Sequence, residues 1–333
     1  MKILLTTVPG LESIVVEEII EKLGRDVSAR YSPLSGRVFV EVEEPNLPHI
    51  LSLHSIENAR IILNEAGNLQ EAIEGSLSFL SRLTKGRGVN TFAVRGERVT
   101  KEPSFTSLDI AREVGKILVE KLQLRVQLDA PDLVIYTEYE NGTYRLGVDL
   151  TPFASLRDRP YRVWVHKSAL NPIIAYALCR LARPFTRILD PFCGSGTIVL
   201  ECLSIFREAE AVCSDVSYQN IAGARTNSLA ISLNPNLLVQ DIRLSAVRAG
   251  LEFDAIISNP PFGIRERAVG GLDAVYRALF NLADETLKPG GRLVVLSPHK
   301  RLVERYSSKL RPVSVMEISE GGLKSWIHVY TKP

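Results

Sequence analysis

Two short motifs that follow apolar runs constrain this chain more than any other feature. The first reads Asp-Pro-Phe-Cys-Gly-Ser-Gly-Thr, covers residues 190–197 and comes directly after the short run Arg-Ile-Leu at 187–189. The second reads Asn-Pro-Pro-Phe-Gly, covers residues 259–263 and follows a mainly apolar run at 253–258. Short apolar runs that end in turn residues are typical of buried parallel strands, whose carboxyl ends share one edge of a sheet. We therefore expect the two motifs to face a common site.

The chain around these motifs alternates between strand-like and helical patterns. Predicted strands lie at 187–189, 211–214, 237–240, 253–258 and 292–297, and predicted helices lie at 197–206, 217–231 and 272–287. Two further runs, 313–318 and 325–330, predict two closing strands. This order predicts an α/β fold, a Rossmann-like doubly wound sheet of seven strands, with ligand sites beyond the carboxyl ends of its strands.

Glycines and acids at the predicted strand ends indicate a cofactor site. Gly194 and Gly196 remove side chains from the first motif, so that its backbone can approach a ligand closely. Their spacing does not continue as the dinucleotide fingerprint, which disfavours NAD. Asp190, Asp215 and Asp241 end three successive predicted strands. A carboxylate at the second of these ends can accept both hydroxyls of a ribose.

On these motifs, residues 165–333 resemble the Rossmann-like methyltransferases that use S-adenosylmethionine to methylate exocyclic amino groups. The resemblance implies that the glycine loop holds the methionine end of the cofactor, Asp215 its ribose and Asp241 its adenine amino group. In related enzymes a segment before the first strand covers the methionine end. The implied cofactor-binding residues are Ser168, Leu170, Asn171, Asp190, Phe192, Gly194, Gly196, Thr197, Asp215, Val216, Asp241, Ile242 and Asn259.

The second motif carries the expected chemistry through Asn259, Pro260 and Phe262. An amine on an aromatic ring is a poor nucleophile because its lone pair is delocalised. The side-chain carbonyl of Asn259 and the backbone carbonyl of Pro260 can accept its two hydrogens, and the consecutive prolines preorganise both acceptors. Phe262 offers a face on which a flipped-out base can stack. The motif contains no strong general base, and His166 and His299 stay open as assistants in proton removal.

Residues 1–150 predict two small α+β units. The first, over residues 1–65, is a ferredoxin-like unit with strands at 2–7 and 37–42 and helices at 11–23 and 47–63. The second has helices at 69–83 and 107–122, a strand at 91–95 and a hairpin at 133–149 with Asn141-Gly142 at its tip. Its runs Phe-Ala-Val-Arg-Gly (92–96) and Ser-Phe-Thr-Ser-Leu-Asp-Ile-Ala-Arg-Glu-Val-Gly (104–115) resemble a THUMP domain, an RNA-binding module of RNA-modifying enzymes.

The charge is distributed unevenly along the chain. Residues 1–150 carry a net charge of −5 and residues 151–333 a net charge of +7, which suits a polyanionic partner of the C-terminal half. Basic side chains also cluster in the THUMP-like region, and around Tyr161 and Trp164 in the segment 151–168 they can grip phosphates and unpaired bases. The candidate RNA contacts are Arg82, Lys85, Arg87, Arg95, Arg98, Lys101, Arg157, Arg159 and Arg162.

The four cysteines and the N-terminal residues indicate the compartment. No Cys-x-x-Cys pair and no histidine at ligand spacing accompanies the cysteines, so no metal site is expected, and we predict buried, reduced thiols at Cys179, Cys193, Cys202 and Cys213. No signal peptide pattern and no run of membrane-spanning length appears. We expect a cytoplasmic monomer without a membrane partner.

The predicted domain order is a ferredoxin-like domain (1–65), a THUMP domain (66–150), a linker (151–168) and a Rossmann-like methyltransferase domain (169–333). This order resembles the tRNA guanine-N2 methyltransferases that form N2-methylguanosine at position 6, which implies tRNA as the partner. The sister group that acts at position 10 typically carries Asp-Pro-Pro-Tyr, so Asn259 favours position 6.

Several alternatives stay open at this point. An rRNA guanine-N2 methyltransferase would share both kinds of module. DNA adenine methyltransferases and the glutamine methyltransferases of release factors share the second motif, but the THUMP-like region and the basic linker disfavour them. A non-catalytic RNA-binding protein with a vestigial cofactor pocket belongs to another class, and the intact acids and Asn259 disfavour it.

Overall fold

Strands from residues 1–149 and strands from residues 187–331 form two separate sheets. The computed structural model describes residues 1–85, 88–100, 104–152, 155–166, 169–244, 250–263 and 271–333. The chain divides into two compact units. The first comprises Met1–Thr6, Val16–Ser32 and Arg37–Leu156, and the second comprises Thr7–Val15, Pro33–Gly36 and Arg157–Pro333.

The first unit is built on a sheet of eight strands within the described residues, in the order β2-β3-β1-β4-β8-β7-β5-β6. Most neighbours are antiparallel, but β5 runs parallel to both β6 and β7. The strands are β1 (Lys2–Thr6), β2 (Ala29–Tyr31), β3 (Arg37–Glu41), β4 (Asn58–Ala66), β5 (Thr91–Arg98), β6 (Arg125–Val126), β7 (Leu133–Glu140) and β8 (Thr143–Asp149). The helices of this part of the chain are α1 (Glu12–Leu23), α2 (Leu47–Leu51), α3 (Leu69–Thr84) and α4 (Ser107–Leu122).

Local sequence signals explain several of these elements. Helix α4 begins with a capping box between Thr106 and Asp109, which satisfies the first free backbone N–H groups. The β7–β8 hairpin turns at Asn141 and Gly142, both with positive φ (47° and 82°), as a tight primed turn requires. The predicted helix at 107–122 and the hairpin are therefore confirmed.

The predicted helix at 47–63 is wrong beyond its first turns. Helix α2 ends at Leu51, and the chain from Asn58 runs as strand β4, which pairs with β1 on one side and β8 on the other. The apolar residues Ile61 and Ile62 fit helical and strand patterns equally well. Pairing on both sides of β4 decides in favour of the strand, since tertiary contacts override a weak local preference.

A network of charged residues crosses the first sheet. The fully buried carboxylate of Glu138 on β7 accepts hydrogen bonds from Arg37 on β3 (3.2 Å) and Arg145 on β8 (2.7 Å). Arg145 also donates to Glu65 on β4 (2.7 Å). A buried carboxylate requires such paired partners. The network therefore joins strands on both sides of residue 65, and the division between the ferredoxin-like and THUMP domains at this residue stays a prediction.

The second unit contains a sheet of seven strands within the described residues, in the order β11-β10-β9-β12-β13-β15-β14. Neighbours from β11 to β13 are parallel, while β15 is antiparallel to β13 and β14, so the predicted doubly wound fold is confirmed. The strands are β9 (Arg187–Asp190), β10 (Glu210–Asp215), β11 (Asn236–Val239), β12 (Phe253–Ser258), β13 (Leu287–Ser297), β14 (Arg311–Glu320) and β15 (Leu323–Thr331). The helices are α5 (Pro172–Ala182), α6 (Thr197–Ile205), α7 (Tyr218–Ala230), α8 (Leu272–Thr286) and α9 (Lys300–Tyr306).

Both faces of this sheet are buried. Ile188 and Ile257 pack into a core on one face, and Leu189 and Ile256 pack into a core on the other. Continuous apolar strands are expected where helices cover a parallel sheet on both sides. No helix in the described part of the chain is long and apolar enough to span a bilayer.

The segment Thr7–Val15 belongs to the second unit. Val8, Leu11 and Ile14 are buried in the same core as Ile318 of β14. The backbone N–H of Ser319 donates to the Pro9 carbonyl (2.9 Å). At Gly10 an added Cβ would lie 2.1 Å from the Glu317 carbonyl oxygen, so only glycine permits this close approach. Residues near the N-terminus thus support the β14–β15 hairpin.

The four cysteines form two disulfides, Cys179–Cys202 and Cys193–Cys213, so the prediction of reduced thiols is wrong. The first disulfide joins helices α5 and α6, and the second joins the loop after β9 to strand β10. Spacing alone gave no indication of the pairing, because each disulfide links elements that only the folded sheet brings together.

Candidate active site

The carboxyl edge of the second sheet borders a cavity of about 840 Å³. Its wall is built from the loops after β9, β10, β11 and β12 and from the tip of the β14–β15 hairpin. Both sequence motifs therefore face one site, as predicted. The predicted residues that line the cavity are Leu170, Asp190, Phe192, Gly194, Thr197, Asp215, Val216, Asp241, Ile242, Asn259, Pro260 and Phe262.

The glycine loop after β9 is bound to the end of β10. Gly194 has a φ of 52°, and its N–H donates to the Asp215 carboxylate (3.0 Å). The same carboxylate accepts from the Ser217 backbone N–H (2.8 Å) and the Asn220 side-chain amide (3.1 Å). Asp215 therefore fixes the loop and the start of α7 together, and it lies at the cavity wall where the ribose is expected.

Asn227 is a polar residue that sequence reasoning missed. Its buried side chain accepts from the Trp164 backbone N–H (2.7 Å) and donates to the carbonyls of Trp164 (2.8 Å) and Ser195 (3.0 Å). The Trp164 ring lies against Gly223, where an added Cβ would come within 2.1 Å of it. Trp164 is thus an anchor that holds its segment against α7 and the glycine loop. An asparagine that makes three such hydrogen bonds, to two residues distant in sequence, has no local sequence signal.

Asp190 is the buried acid of the site. One carboxylate oxygen accepts from the Phe192 backbone N–H (3.1 Å), and the other is buried without a hydrogen-bond partner among the described residues. Burial raises the pKa of the Asp190 carboxyl to about 8, against the hydrogen bond from Phe192, and the nearby charge of Asp215 adds to this rise. A buried acceptor without a partner is costly, and a donor group from a ligand would satisfy it.

Asp241 lies at the cavity wall but has a partner in the protein. Arg243 donates from its side chain to both carboxylate oxygens and from its backbone to one of them. These hydrogen bonds lower the pKa of Asp241 and fill much of its acceptor capacity. The Asp241 carboxylate must therefore share its lone pairs between Arg243 and an adenine amino group.

Asn259 follows β12, the strand that pairs with β9. Its side-chain oxygen is buried and has no hydrogen-bond partner among the described residues. At the other end of the motif, the Phe262 carbonyl lies 2.8 Å from Nε2 of His299. The loop thus presents an unsatisfied acceptor at the cavity wall while its far end is bound to the protein.

Two predicted cofactor residues, Asn171 and Gly196, do not line the described cavity wall, and a third, Ser168, lies outside the described residues. Asn171 instead caps α5, where its side chain accepts from the Ile173 N–H (3.0 Å). Gly196 is the N-cap of α6, with a φ of 83°, and packs against Ala224. Both residues cap helices, and their assignment to the cofactor stays a prediction.

The β14–β15 hairpin contributes wall residues that sequence reasoning missed. These are Ile318, Glu320, Gly321, Leu323 and Ser325. The hairpin reaches the cavity because β15 pairs antiparallel with β13, which brings its tip to the carboxyl edge of the parallel strands. Only the strand order places these residues at the site, so the local sequence carries no signal for them.

Arg159 is an anchor residue, which corrects its assignment as an RNA contact. Its guanidinium donates to Glu201 on α6 (2.9 Å), and the Tyr161 hydroxyl donates to the same buried carboxylate (2.7 Å). The Arg159 side chain is only 10% exposed. A charge held in this way is not available to a phosphate.

The other candidate RNA contacts have different surroundings. Arg82, Lys85, Arg95 and Arg157 are exposed. Two half-buried arginines donate to backbone carbonyls, Arg98 to Phe105 (2.6 Å) and Arg162 to Leu170 (3.2 Å). Arg87 and Lys101 lie outside the described residues.

The described residues fit S-adenosylmethionine better than a metal. No group of three or more potential metal ligands occurs within the described ranges. The unpaired Asp190 oxygen matches the ammonium at the methionine end, and Asp215 retains acceptor capacity for ribose hydroxyls. Val216 and Ile242 supply apolar wall beside Asp241.

Comparisons with known proteins agree with this geometry. Residues 159–324 match the family model of the RMKL-like methyltransferase domain, and residues 78–149 match that of the THUMP domain. A tRNA (guanine(6)-N2)-methyltransferase of Thermus thermophilus is 32% identical over 98% of this chain and 98% of its own length. A tRNA (guanine(6)-N2)-methyltransferase of Archaeoglobus fulgidus is 27% identical over 98% of this chain and 91% of its own length. The crystal structure of TrmN from Thermus thermophilus superposes with a TM-score of 0.84 at 27% identity and covers 100% of this chain and 99% of its own.

We predict that cofactor affinity depends on the ionisation of Asp190. The acid is largely protonated below its pKa of about 8, and an ammonium prefers the carboxylate. The affinity for S-adenosylhomocysteine, which carries the same amino-acid end as the cofactor, should rise by up to about ten-fold per pH unit between pH 6 and 8. Calorimetry at several pH values measures this. Asp190→Asn should bind more weakly with a flatter pH dependence, and an unchanged slope in this variant would contradict the assignment.

Proposed function

The chain belongs to the family of THUMP-containing tRNA (guanine-N2)-methyltransferases, and we infer from this premise that it methylates the exocyclic N2 amine of guanosine 6 in tRNA. The observation that carries the proposal is the meeting of Asp190 and Asn259 in one cavity, each with a buried acceptor that has no partner among the described residues. The Asp190 acceptor suits the cofactor, and the Asn259 acceptor suits the target amine.

The residues that would hold S-adenosylmethionine come from three neighbouring loops. All of them line the cavity, and Asp190 with the glycine loop would face the methionine end, Asp215 the ribose, and Asp241 with Ile242 the adenine. The cofactor, when bound, supplies a methyl group on a positively charged sulfonium sulfur. The chain's own task is to hold a target amine in line with that methyl group and to exclude water from it.

The loop after β12 would orient the target amine. The Asn259 side-chain oxygen and the Pro260 carbonyl accept the two amine hydrogens, which turns the nitrogen lone pair toward the methyl donor. Phe262 lies at the cavity wall, where its ring can stack on the flipped-out guanine. The proton leaves only after methylation has made the nitrogen acidic, so water can accept it and no strong base is needed.

The first unit would bind the RNA. THUMP-type recognition relies on phosphate and shape contacts, and Arg82, Lys85 and Arg95 are exposed in or beside the residues that match the THUMP model. We place the reaction in the cytoplasm with its tRNA substrate. We also propose a monomer, and light scattering can measure the mass.

The choice of position 6 can be tested with three tRNA transcripts. We expect one N2-methylguanosine per molecule in a transcript with G6, none when G6 is replaced by A with a compensating pair, and normal methylation when G10 is replaced by A. Nucleoside mass spectrometry provides the readout. Methylation that depends on G10 would point to the position-10 activity. In a parallel reaction with rRNA, methylation of the rRNA but of none of the transcripts would point to the rRNA alternative, and cofactor binding without methylation of either RNA would point to a non-catalytic protein.

Asn259→Ala should reduce kcat by about a hundred-fold or more, because it removes a preorganised acceptor from the transition state. The dissociation constant of S-adenosylhomocysteine should stay within a few-fold of wild type, since the methionine end contacts other loops. Asn259→Asp is the matched control and should retain measurable turnover, because a carboxylate still accepts the amine hydrogens. Near wild-type turnover in Asn259→Ala would contradict the role.

Replacing Arg82, Lys85 and Arg95 together with glutamine should weaken tRNA binding and reduce its salt dependence. Each lost phosphate contact lowers the slope of log affinity against log salt by about one, because fewer counterions are released. Binding titrations at several salt concentrations measure the slope, and cofactor affinity should not change.

A matched control removes the same number of positive charges from the second unit. Arg187, Arg305 and Lys309 already pair with acidic residues, so their replacement by glutamine should leave the slope near wild type. If wild type and both triple variants had equal slopes of log affinity against log salt, Arg82, Lys85 and Arg95 would be only a solvated surface.

A further inference from the structure

His299 contacts the far end of residues 259–262, the loop after β12 that the proposed function makes the amine-accepting loop. It is the N-cap of helix α9, and its Nε2 lies 2.8 Å from the backbone carbonyl oxygen of Phe262. A carbonyl oxygen can only accept, so Nε2 must carry a hydrogen and donate it. This bond fixes the tautomer of the ring.

A buried polar pair holds the histidine in place. The His299 backbone N–H donates to the Ser297 hydroxyl (2.9 Å), and this hydroxyl lies 2.6 Å from the hydroxyl of Tyr276. Both partners are fully buried, and the Tyr276 ring meets the imidazole edge-to-face at 6.2 Å. The imidazole therefore has a defined position before any substrate arrives.

We propose that His299 is a positioning residue for methyl transfer, which binds the Phe262 carbonyl and thereby sets the Asn259 and Pro260 acceptors and the stacking face of Phe262. This inference rests on the proposed function. The two prolines between Asn259 and Phe262 have fixed φ angles, so a restraint at Phe262 is transmitted along the loop. A displacement of about 1 Å at a reacting group can cost on the order of a hundred-fold in rate.

Because of its hydrogen bond to the Phe262 carbonyl, Nε2 of His299 cannot accept a proton from the substrate. The nitrogen that faces the loop is already protonated, and its hydrogen is used by the Phe262 carbonyl. Both the neutral Nε2–H tautomer and the imidazolium can donate this bond. Tyr276, the titratable group against the ring, stays neutral because burial raises its pKa to about 12. The positioning effect should therefore not depend on pH between about 6 and 9.

Two variants test the proposal. His299→Phe keeps a ring against Tyr276 but loses the donor, whereas His299→Gln keeps an N–H donor. In His299→Phe we expect kcat to fall by about ten- to a hundred-fold, with KM for tRNA and the affinity for S-adenosylhomocysteine within about two-fold of wild type. His299→Gln should recover part of the loss, and the pH profile of kcat should keep its shape. The positioning role would be overturned if the pH profile of kcat lost its acidic limb in His299→Phe. It would also be overturned if His299→Gln recovered none of the lost kcat.

Hydrogen exchange of the free protein separates this proposal from the proposed function. In His299→Phe, the peptide that covers residues 259–263 should exchange faster than in wild type, with His299→Gln between them, whether or not the protein methylates tRNA. If the wild-type protein did not methylate tRNA, the proposed function would be overturned. Hydrogen exchange would still measure whether the His299 hydrogen bond to Phe262 anchors the loop. Unchanged exchange in His299→Phe would overturn the anchor, and faster exchange with unchanged kcat would overturn its role in transfer.

Discussion

The parallel pairing of β9 with β12 is the constraint on which the site depends. In this pairing Ile188 lies opposite Ala255, and Leu189 lies opposite Ile256. Within the sheet, β10 and β11 lie on one side of strand β9, and β12 lies on its other side. Loops that leave neighbouring strands in opposite directions open a crevice between them. Asp190 and the Asn-Pro-Pro-Phe loop meet there because of strand order, although they are distant in sequence.

Polar groups around this crevice fall into two classes. The Asp215 carboxylate accepts three hydrogen bonds from the protein and the Asn227 amide makes three, and each side chain binds the glycine loop to a second element. Asp190 and Asn259 each keep one buried acceptor without a partner among the described residues. Folding alone favours full pairing of buried polar groups, so the second class is expected where a ligand completes the pairing. Asp215 and Asn227 therefore make the site rigid, whereas Asp190 and Asn259 each leave an acceptor for a ligand.

The sequence predicted what local patterns determine and missed what long-range contacts determine. The strand ends at Asp190 and Asp215 and the capped helix α4 follow from apolar runs and capping residues, and the structure confirms these elements. The strand β4, the two disulfides and the cavity wall at the hairpin depend on which elements become neighbours. Arg159 was misjudged for the same reason, because its partner Glu201 lies on a helix that no local pattern connects to it.

The two loops of the site differ in how they are held. The glycine loop is bound through the Cys193 N–H to the Ser214 carbonyl, through Gly194 to Asp215, through Ser195 to Asn227 and through the Cys193–Cys213 disulfide. Within the described residues, the amine-accepting loop receives its side-chain hydrogen bond from His299 at Phe262. A cofactor site can be rigid because its ligand is always the same molecule. In the proposed function, the loop after β12 must admit a base drawn out of an RNA helix and then orient it, and one donor at the end of a proline-stiffened loop permits both.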